Sequence, residues 1–294
     1  VSNVFTMIGE NPSTVSNSID YLMLGSITRD VSASGKYSLG GTASYSGLMA
    51  NTLGSRVGIV SSMSADLNLL PLEKNGILVA RQHSDVTTEY ENIYTDAGRV
   101  QYLRKRASSL TFDSVPARWL TAPIVHIGPL ANDIDQSITH QFSDTFVGIT
   151  LQGWLRKWDH DGRIIRSAFP KLTEVISKAD AVVLSIEDVD GDWDYIERCA
   201  AVSKVLVITE SDKGATVFGG GKRHQFQAPN VVMKDSTGAG DIFASVFFVL
   251  YYHTRDYRLA ARLAVKIASD SVTREGLKSV PSKVDISISN LINN

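Results

Sequence analysis

Short runs of apolar residues alternate along the chain with longer segments of mixed polarity. The runs at 21–25, 56–60, 124–127, 146–150, 181–184 and 205–209 are apolar at nearly every position. Strands that are apolar on both faces lie in the middle of a parallel sheet covered by helices. The remaining segments predict helices over 43–53, 133–142, 169–177, 193–202 and 243–252. This alternation predicts a doubly wound α/β fold, with a mostly parallel sheet sandwiched by helices.

A different pattern occupies 87–94 and 99–103, where strong β formers flank the turn Asp96-Ala97-Gly98. This pattern predicts a hairpin, and the polar strand-like stretch 29–39 could join it in a small separate sheet. Such a sheet beside a parallel one can serve as a lid that closes over substrate. A surface hairpin with no such role is the alternative.

The same patterns predict one domain over 19–285, with lid segments at about 29–39 and 86–104 inserted in it. Residues 1–18 are rich in Ser and Asn, and we expect them to form a loose N-terminal leader. No internal repeat or low-complexity tract interrupts the chain.

Composition narrows the class of protein. The chain has 294 residues, of which 43% are hydrophobic and 20% charged. Its formal net charge of −2 gives no electrostatic reason to expect nucleic acid or an anionic membrane as a partner. Its one cysteine, Cys199, excludes an intramolecular disulfide and favours a reducing compartment. No apolar run reaches the ~18 residues of a membrane span, and the start lacks a signal-peptide pattern. We therefore expect a soluble cytoplasmic protein.

The stretch D-S-T-G-A-G-D-I-F at 235–243 carries the first candidate chemistry. Its glycines precede the buried helix, and a helix start offers free N–H groups and partial positive charge to an anion. Gly238, Ala239 and Gly240 would supply three such groups in succession. Asp241 would repel a bound phosphate, but it could act as a base toward a hydroxyl that attacks a phosphoryl group. A glycine loop followed by an acid in the first helical turn is the alternative.

A second candidate lies at Gly40-Gly41-Thr42-Ala43-Ser44-Tyr45, which opens another helix. Paired glycines permit close approach of a ligand to the backbone. Asp30 follows the first core strand, where ligands bind in open α/β sheets. It could hold sugar hydroxyls or be an ordinary turn residue.

Other classes of enzyme find no support. The chain has no G-x-x-x-x-G-K-[ST], no G-x-S-x-G and no G-x-G-x-x-G after the first strand, which argues against a P-loop NTPase, a hydrolase and a Rossmann dehydrogenase. Gly219-Gly220-Gly221-Lys222 is typical of a hairpin loop. Asp159-His160-Asp161 lies in a polar turn that is better explained by solvation than by a metal.

The segment 235–243 resembles the signature D-T-x-G-A-G-D-x-F of ribokinase-like (PfkB-type) carbohydrate kinases. Gly40-Gly41 with L-G-S-R-V-G-I-V-S-S-M-S-A-D at 53–66 is similar to that family's N-terminal block. Residues 207–215 resemble its T-x-G-x-x-G-A nucleotide strand and turn, and 260–281 resemble its closing helix and final proline. The resemblance spans 20–283 and implies a ribokinase-like fold with a small β-sheet lid.

The resemblance also implies a function: an ATP-dependent kinase that acts on a sugar, polyol or nucleoside hydroxyl. Asp241 matches the family's catalytic base and 238–240 its anion hole. Asp30, Gly40 and Gly41 match sugar-binding positions. The cofactor-binding positions implied are Ser185, Thr209, Ser211, Gly214, Thr237 and Gly240. Mg²⁺ would bridge the phosphates, a monovalent cation such as K⁺ is a further possible cofactor, and lids that pair between subunits would give a homodimer.

The chain departs from the family pattern at three places. Tyr45 stands where the family has Asn after the glycine pair, which questions ordinary ribose or fructose recognition. Ser185-Ile186-Glu187-Asp188 stands in place of N-x-x-E, so that Asp188, or its neighbour Glu187, would act on Mg²⁺ through water. Ser211 replaces the glycine of T-x-G.

A last motif, Q-G-W-L-R at 152–156, resembles plant-type myo-inositol kinases and their bacterial relatives. Gln152 and Arg156 offer donors suited to polyhydroxyl ligands or phosphate. Packing under the lid is the alternative role for Trp154 and Trp158. The hypothesis is an ATP-dependent kinase of a polyol or sugar, with myo-inositol as the first candidate. The alternatives are a kinase of another sugar or a nucleoside (ribose, fructose, 2-keto-3-deoxygluconate, adenosine or cytidine), or a binding protein that transfers nothing.

Overall fold

The computed structural model describes residues 6–8, 18–31, 35–95, 98–142, 144–169 and 172–282. The strands are β1 (Thr6–Ile8), β2 (Tyr21–Gly25), β3 (Thr28–Val31), β4 (Tyr37–Gly40), β5 (Val57–Met63), β6 (Leu78–His83), β7 (Glu89–Thr95), β8 (Gly98–Lys105), β9 (Ile124–Gly128), β10 (Phe146–Thr150), β11 (Arg156–Trp158), β12 (Ile164–Arg166), β13 (Ala181–Ser185), β14 (Val205–Thr209), β15 (Ala215–Gly219) and β16 (Lys222–Phe226). The α-helices are α1 (Thr42–Thr52), α2 (Leu70–Glu73), α3 (Leu172–Ile176), α4 (Trp193–Ala200), α5 (Ala239–Thr254) and α6 (Tyr257–Ser271).

Within the described residues, ten strands form the central sheet, in the order β1-β6-β5-β2-β9-β10-β13-β14-β15-β16. All pairs from β6 to β14 are parallel, and β1, β15 and β16 add antiparallel edges. The central strands are buried at nearly every position, which explains their continuous apolar runs. The expected parallel sheet is therefore confirmed. The carboxyl ends of its parallel strands, β6 to β14, all lie at one edge.

Helices cover both faces of this sheet. Helices α1, α5 and α6 pack on one face, over side chains such as Tyr21 and Ile59. Helices α3 and α4, with short 3₁₀ turns, pack on the other face, over side chains such as Leu22 and Val125. The expected three-layer α/β sandwich is confirmed. No helix in the described ranges combines the length and the apolar character needed to cross a bilayer.

Helix α5 is the centre of the first layer. Every residue from Ile242 to Leu250 is buried, so the helix is apolar on all sides. Two serines tie it to α1: Ser46 Oγ donates to the Asp241 carbonyl over 3.1 Å, and Ser245 Oγ donates to the Ser46 carbonyl over 2.9 Å. The two helix N-termini are thereby held side by side.

A second sheet, of the order β4-β3-β7-β8, lies apart from the central one and is called the lid below. Strands β3 and β7 pair in parallel, whereas β3–β4 and β7–β8 are antiparallel. The two-stranded ribbon β11–β12 adjoins the lid through a bridge between Tyr102 and Arg163. The hairpin and the two described parts of the stretch 29–39, which belong to β3 and β4, thus join one sheet as expected. Residues 32–34, 96 and 97 lie outside the described residues.

Some local expectations differ from the structure. The segment 133–142 forms a 3₁₀ helix, Gln136–Gln141, because Asp135 caps a tight turn by accepting from the Ser137 amide over 2.9 Å. Within the expected leader, Thr6–Ile8 forms an edge strand on β6. The glycine turn at 219–222 joins β15 to β16 as a hairpin, as expected.

The contact between β10 and α5 gives a stability prediction. A Cβ added to Gly148 would lie 2.6 Å from the Phe248 ring, closer than van der Waals contact allows. We expect Gly148→Ala to lower the free energy of unfolding by about 1–3 kcal/mol, through overpacking of a filled core. Urea denaturation measures the loss.

A double-mutant cycle is the control. Phe248→Leu removes part of the clash, so in the Gly148→Ala background it should cost less than it costs alone. Strict additivity of the two changes would contradict the proposed contact.

Candidate active site

The sequence-predicted residues lie where the parallel strands end. Asp30 follows β2, Gln152 follows β10, Asp188 follows β13 and Ser211 follows β14. The carboxyl ends of parallel strands form the usual ligand-binding edge of an open α/β sheet. The lid begins at this edge, because β3 starts three residues after β2 ends.

The N-terminus of α5 borders open space, which is called the anion corner below after its expected ligand. Gly238 caps the helix at φ 80°, and a Cβ there would overlap the buried ring of Tyr45. The amide of Ala239 already donates to the Ser236 carbonyl over 3.2 Å. A Cβ on Gly240 would meet nothing within 4 Å. The open space therefore lies beside Gly240, and Tyr45 supports the loop by packing against it.

The N-terminus of α1 borders the site on a second side. Gly41 has φ 88°, and a Cβ there would lie 2.3 Å from the Ser26 carbonyl, so glycine is required at this turn. A Cβ on Gly40 would overlap the Asp30 carboxylate. Asp30 accepts a hydrogen bond from Thr28 Oγ1 over 2.9 Å. The absence of a Cβ at Gly40 thus leaves room for the Asp30 carboxylate, so the glycine pair does more than permit a turn.

Asp241 lies between these two helix starts. The Thr42 hydroxyl hydrogen-bonds its carboxylate, and Arg156, Asp188 and Asp30 all act on it electrostatically. The pKa of Asp241 is raised to about 7: burial is the largest cause and the two neighbouring acids add to it, while Thr42 and Arg156 oppose the rise. A carboxylate with a pKa near neutrality is suited to accept a proton.

Arg156, Gln152 and Asp188 form a polar cluster opposite Asp241. Arg156 lies 3.8 Å from Asp188 Oδ1, and Gln152 hydrogen-bonds the same carboxylate. Burial raises the pKa of Asp188, while Arg156 lowers it. Two lid residues reach the guanidinium: Gln101 Oε1 accepts from it over 3.1 Å, and Tyr90, whose hydroxyl donates to the Leu130 carbonyl over 3.0 Å, lies beside it. The cluster therefore joins the lid to the strand ends.

The two tryptophans of the same segment have different environments. Trp154 is buried, packs near Phe169 and donates to the Ile134 carbonyl over 3.0 Å. Trp158 is exposed on β11. The structure therefore favours the packing alternative for Trp154 but not for Trp158.

The turns after β13 and β14 flank the anion corner. Ser185 and Thr209 are register partners at the ends of these strands. Ser185 begins a capping box in which its amide donates to Asp188 Oδ2 over 3.2 Å, which fixes Asp188 toward the site. Glu187 is exposed.

The turn after β14, where the resemblance places the nucleotide, keeps a left-handed backbone at Ser211, which has φ 54°. Gly214, with φ 94°, closes the turn; a Cβ there would lie 2.0 Å from the Phe226 carbonyl. The Thr237 amide donates to Asp235 Oδ1 over 2.9 Å, while Asp235 Oδ2 accepts from the Gly276 amide over 3.0 Å.

Several residues of the site escaped the sequence analysis. Thr42 binds the Asp241 carboxylate, Ser46 links α1 to α5, Gln101 reaches Arg156 from the lid, and Asp235 braces the glycine loop. Thr42 and Asp235 stood inside recognised motifs, which was a usable signal. Gln101 gave no such signal, because its partner Arg156 lies 55 residues away along the chain.

The turn Asp159-His160-Asp161 gathers its ligand atoms within 4.8 Å of one another. Its side chains are largely exposed, and the Asp159 carboxylate is used by the Asp161 and Arg163 amides. These bonds account for the cluster as a turn.

Comparison with known proteins adds to this geometry. Residues 163–283 match the model of the pfkB family carbohydrate kinases. That match includes the segments of Asp188, Ser211 and Asp241.

Three solved structures are similar over most of the chain. One is a pyrophosphate-dependent kinase in the ribokinase family complexed with a pyrophosphate analog and myo-inositol, with a TM-score of 0.76, 18% identity, and coverage of 88% of this chain and 98% of that one. The ribokinase of Arabidopsis thaliana, complexed with ribose and ATP, has a TM-score of 0.72, 16% identity and coverage of 94% and 99%. The ribokinase of Thermotoga maritima has a TM-score of 0.73, 18% identity and coverage of 94% and 100%. The chain has the ribokinase-like fold.

The environment of Asp241 gives a prediction about stability. An ordinary carboxylate ionises near pH 4, whereas the pKa of Asp241 is about 7 in the folded protein. The folded state therefore loses stability as the pH rises from about 4 to about 7, and the loss is constant above that. We expect Asp241→Asn to stabilise the protein by roughly 1–3 kcal/mol at pH 8, because a neutral amide has no charge to desolvate.

Urea denaturation of both proteins at pH 5 and pH 8 measures the effect. The gain should be clearly smaller at pH 5. An equal gain at both pH values, or a loss at pH 8, would contradict the raised pKa. Asp270→Asn, at an exposed carboxylate on α6, is the matched control and should show little change.

Proposed function

We propose that this chain, a phosphotransferase of the PfkB carbohydrate kinase type with an alcohol group as acceptor, transfers the γ-phosphoryl group of ATP to a hydroxyl of myo-inositol or a closely related polyol. The observation that carries the proposal is the position of Asp241. Its carboxylate, with a pKa near 7, lies at the start of α5 beside the open space at Gly240 and next to the start of α1.

In the proposed reaction Asp241 takes the proton from the acceptor hydroxyl. The acceptor oxygen forms a bond to the γ-phosphorus, and the bond from that phosphorus to the β–γ bridging oxygen breaks, so ADP leaves with the electron pair. The amides of 238–240 and the dipoles of α1 and α5 stabilise the charge on the transferred group. The Ala239 amide contributes least in this arrangement, because Ser236 already accepts from it.

The acceptor side of the site favours a neutral polyhydroxyl compound. Asp30 faces Gly40 and acts on Asp241, and it can accept two hydrogen bonds from neighbouring hydroxyls. The carboxylates of Asp30, Asp188 and Asp241 would repel an acceptor that already carries a phosphate. Gln152 adds a neutral donor on the same side. One structural neighbour is complexed with myo-inositol, which supports this compound as the first acceptor to test.

Magnesium fits the carboxylate set. Asp188 is fixed toward the site by its own capping box, and hard oxygen ligands of this kind hold Mg²⁺, commonly through its waters. When bound, the ion would neutralise charge on the donor phosphates. Glu187 is exposed beside it and would act only through water.

The donor side comprises the turns after β13 and β14 and the loop before α5. The residues proposed to contact the nucleotide are Ser185, Thr209, Ser211, Gly214, Thr237 and Gly240. Neighbours in complex with ATP and with a pyrophosphate analog both occur, so both donors belong in the test.

A turnover assay tests this function. Wild-type protein is given Mg²⁺ with ATP or pyrophosphate, and myo-inositol, other inositols, ribose, fructose, 2-keto-3-deoxygluconate, adenosine or cytidine. ADP or phosphate release is followed, and the product is identified by NMR. We expect turnover with ATP and myo-inositol, and a decrease of kcat by about 10²–10⁴ in Asp241→Asn. The same variant should remain folded, as its predicted gain in stability requires.

Other outcomes discriminate among the alternatives. Turnover of a nucleoside or an aldose would contradict the polyol proposal, and turnover with pyrophosphate alone would contradict ATP as donor. Bound ATP without turnover of any acceptor would favour a binding protein. Full activity of Asp241→Asn would exclude its role as base.

Gly240 provides a separate prediction about the anion corner. Gly240→Ala should leave the free energy of unfolding unchanged or raise it by up to about 1 kcal/mol, because alanine favours the helix and its Cβ meets no protein atom. The same Cβ would enter the space proposed for phosphate, so kcat/KM should decrease by about 10–10²-fold.

Denaturation and steady-state kinetics on one preparation measure both quantities. The matched Gly148→Ala variant should show the reverse: lower stability with kcat/KM nearly unchanged at a temperature where it is folded. A Gly240→Ala protein with unaltered kcat/KM would show that the donor does not bind beside Gly240.

A further inference from the structure

We propose that Arg156 is a catalytic residue that binds the phosphoryl group in transfer, and that the lid delivers it by holding its guanidinium through Gln101 and Tyr90. This inference rests on the proposed kinase function. It identifies the phosphoryl group, rather than the acceptor polyol, as the ligand of Arg156.

The position of Arg156 is the first argument. It is the first residue of β11, directly after the turn that follows β10, so its backbone belongs to the ligand-binding edge of the central sheet. Its guanidinium is contacted from the lid by Gln101 on β8 and Tyr90 on β7. One side chain thus touches both bodies that close around the ligand.

The charge balance of the site is the second argument. Asp241 is influenced by two further carboxylates, Asp30 and Asp188, and Arg156 is the cation that opposes them. A phosphate donor would bring several more negative charges to the same place. Since buried negative charge is costly unless it is paired, the donor needs a cation at this point in addition to Mg²⁺.

The geometry of the guanidinium is the third argument. Its 3.8 Å contact with Asp188 is longer than a hydrogen bond, so this is an ion pair without a fixed bidentate bond. Its bond to Gln101 Oε1, at 3.1 Å, is normal. Only 12% of the side chain is exposed. The guanidinium is therefore oriented by the lid and loosely held by the acid, and it can turn N–H groups toward a phosphate.

The chemistry of arginine favours a phosphoryl ligand over a polyol. A guanidinium presents parallel N–H groups that match the oxygens of a phosphate and keeps its charge at every working pH. A neutral polyol gains little from a full charge, and Asp30 and Gln152 already offer it an acceptor and a neutral donor. As the acceptor oxygen attacks and the bridging bond breaks, charge on the equatorial oxygens is what Arg156 stabilises.

The lid contact gives the arrangement a consequence for the order of events. When Gln101 and Tyr90 are in place, they hold the guanidinium beside Asp188; when they are not, it loses these two contacts from the lid. Gln101 is thus a positioning residue that acts through Arg156. Transfer should depend on a closed lid, which limits transfer to water.

The experiment compares Arg156→Gln, Arg156→Lys and Gln101→Leu with the wild type. Arg104→Gln is the matched control, since Arg104 lies on the same lid strand but pairs with Glu91, away from the site. Two readouts are taken: steady-state kinetics with the best acceptor, and calorimetric affinities for Mg²⁺ complexes of ADP and of the non-transferable ATP analogue AMP-PNP. Thermal melting shows whether each variant is folded.

We expect Arg156→Gln to lower kcat by about 10²–10³, the usual effect of removing a donor to a charged transition state, with the KM for the acceptor changed less than about threefold. It should weaken the affinity for AMP-PNP by about tenfold and leave the affinity for ADP unchanged. Arg156→Lys should recover part of the AMP-PNP affinity, because it keeps the charge. Gln101→Leu should lower kcat without changing ADP affinity, and Arg104→Gln should change neither.

An increase of the acceptor KM with normal kcat, or equal weakening of ADP and AMP-PNP, would overturn the proposal. The nucleotide comparison needs no turnover, so it decides the role of Arg156 even if no acceptor in the panel reacts. In that case the absence of turnover counts against the proposed function alone. A wild-type protein that binds neither nucleotide overturns both.

Discussion

The site depends on one constraint: several negative charges must share a partly buried space. Asp30 and Asp188, which follow the ends of two strands, act electrostatically on Asp241 at the start of α5, and a phosphate donor would add to this negative charge. Two helix N-termini, Thr42 with its hydroxyl, and Arg156 oppose this charge. The fold serves the constraint, because a parallel sheet brings its strand ends to one edge and the serine links between α1 and α5 bring two helix starts to the same edge.

The lid sheet takes part in the same balance. Its first strand, β3, begins three residues after β2 ends and carries Asp30 itself. A network at the base of the lid, in which Arg29 pairs with Asp66 and Glu89, ties it to the end of β5. From the other side, Gln101 and Tyr90 reach Arg156. The contacts of the small sheet and the electrostatics of the site are therefore parts of one arrangement.

The sequence predicted the central sheet, most of its helices and the small second sheet, because their signals are local. A strand buried on both faces is apolar throughout, as in β10, and a helix buried on all sides is too, as in α5. The glycines at 40, 41 and 238 were visible as motifs, but the reasons for them were not. Gly238 is required by the Tyr45 ring, and Gly40 by the Asp30 carboxylate. Such contacts, like that of Gln101 with Arg156, join distant parts of the chain and leave no periodicity to detect.

The departures from the family pattern also make physical sense in the structure. Ser185 keeps the turn after β13 by capping it, and Ser211 accepts a left-handed backbone that costs a non-glycine residue of order 1 kcal/mol. Both turns thereby keep a defined shape beside the anion corner.

The strongest argument against a binding protein that transfers nothing is Asp241 itself. A carboxylate whose pKa is raised to about 7 destabilises the fold at neutral pH, and a neutral amide would accept the Thr42 hydrogen bond without that loss. The base role proposed for Asp241, which takes a proton from a hydroxyl, would offset this loss of stability.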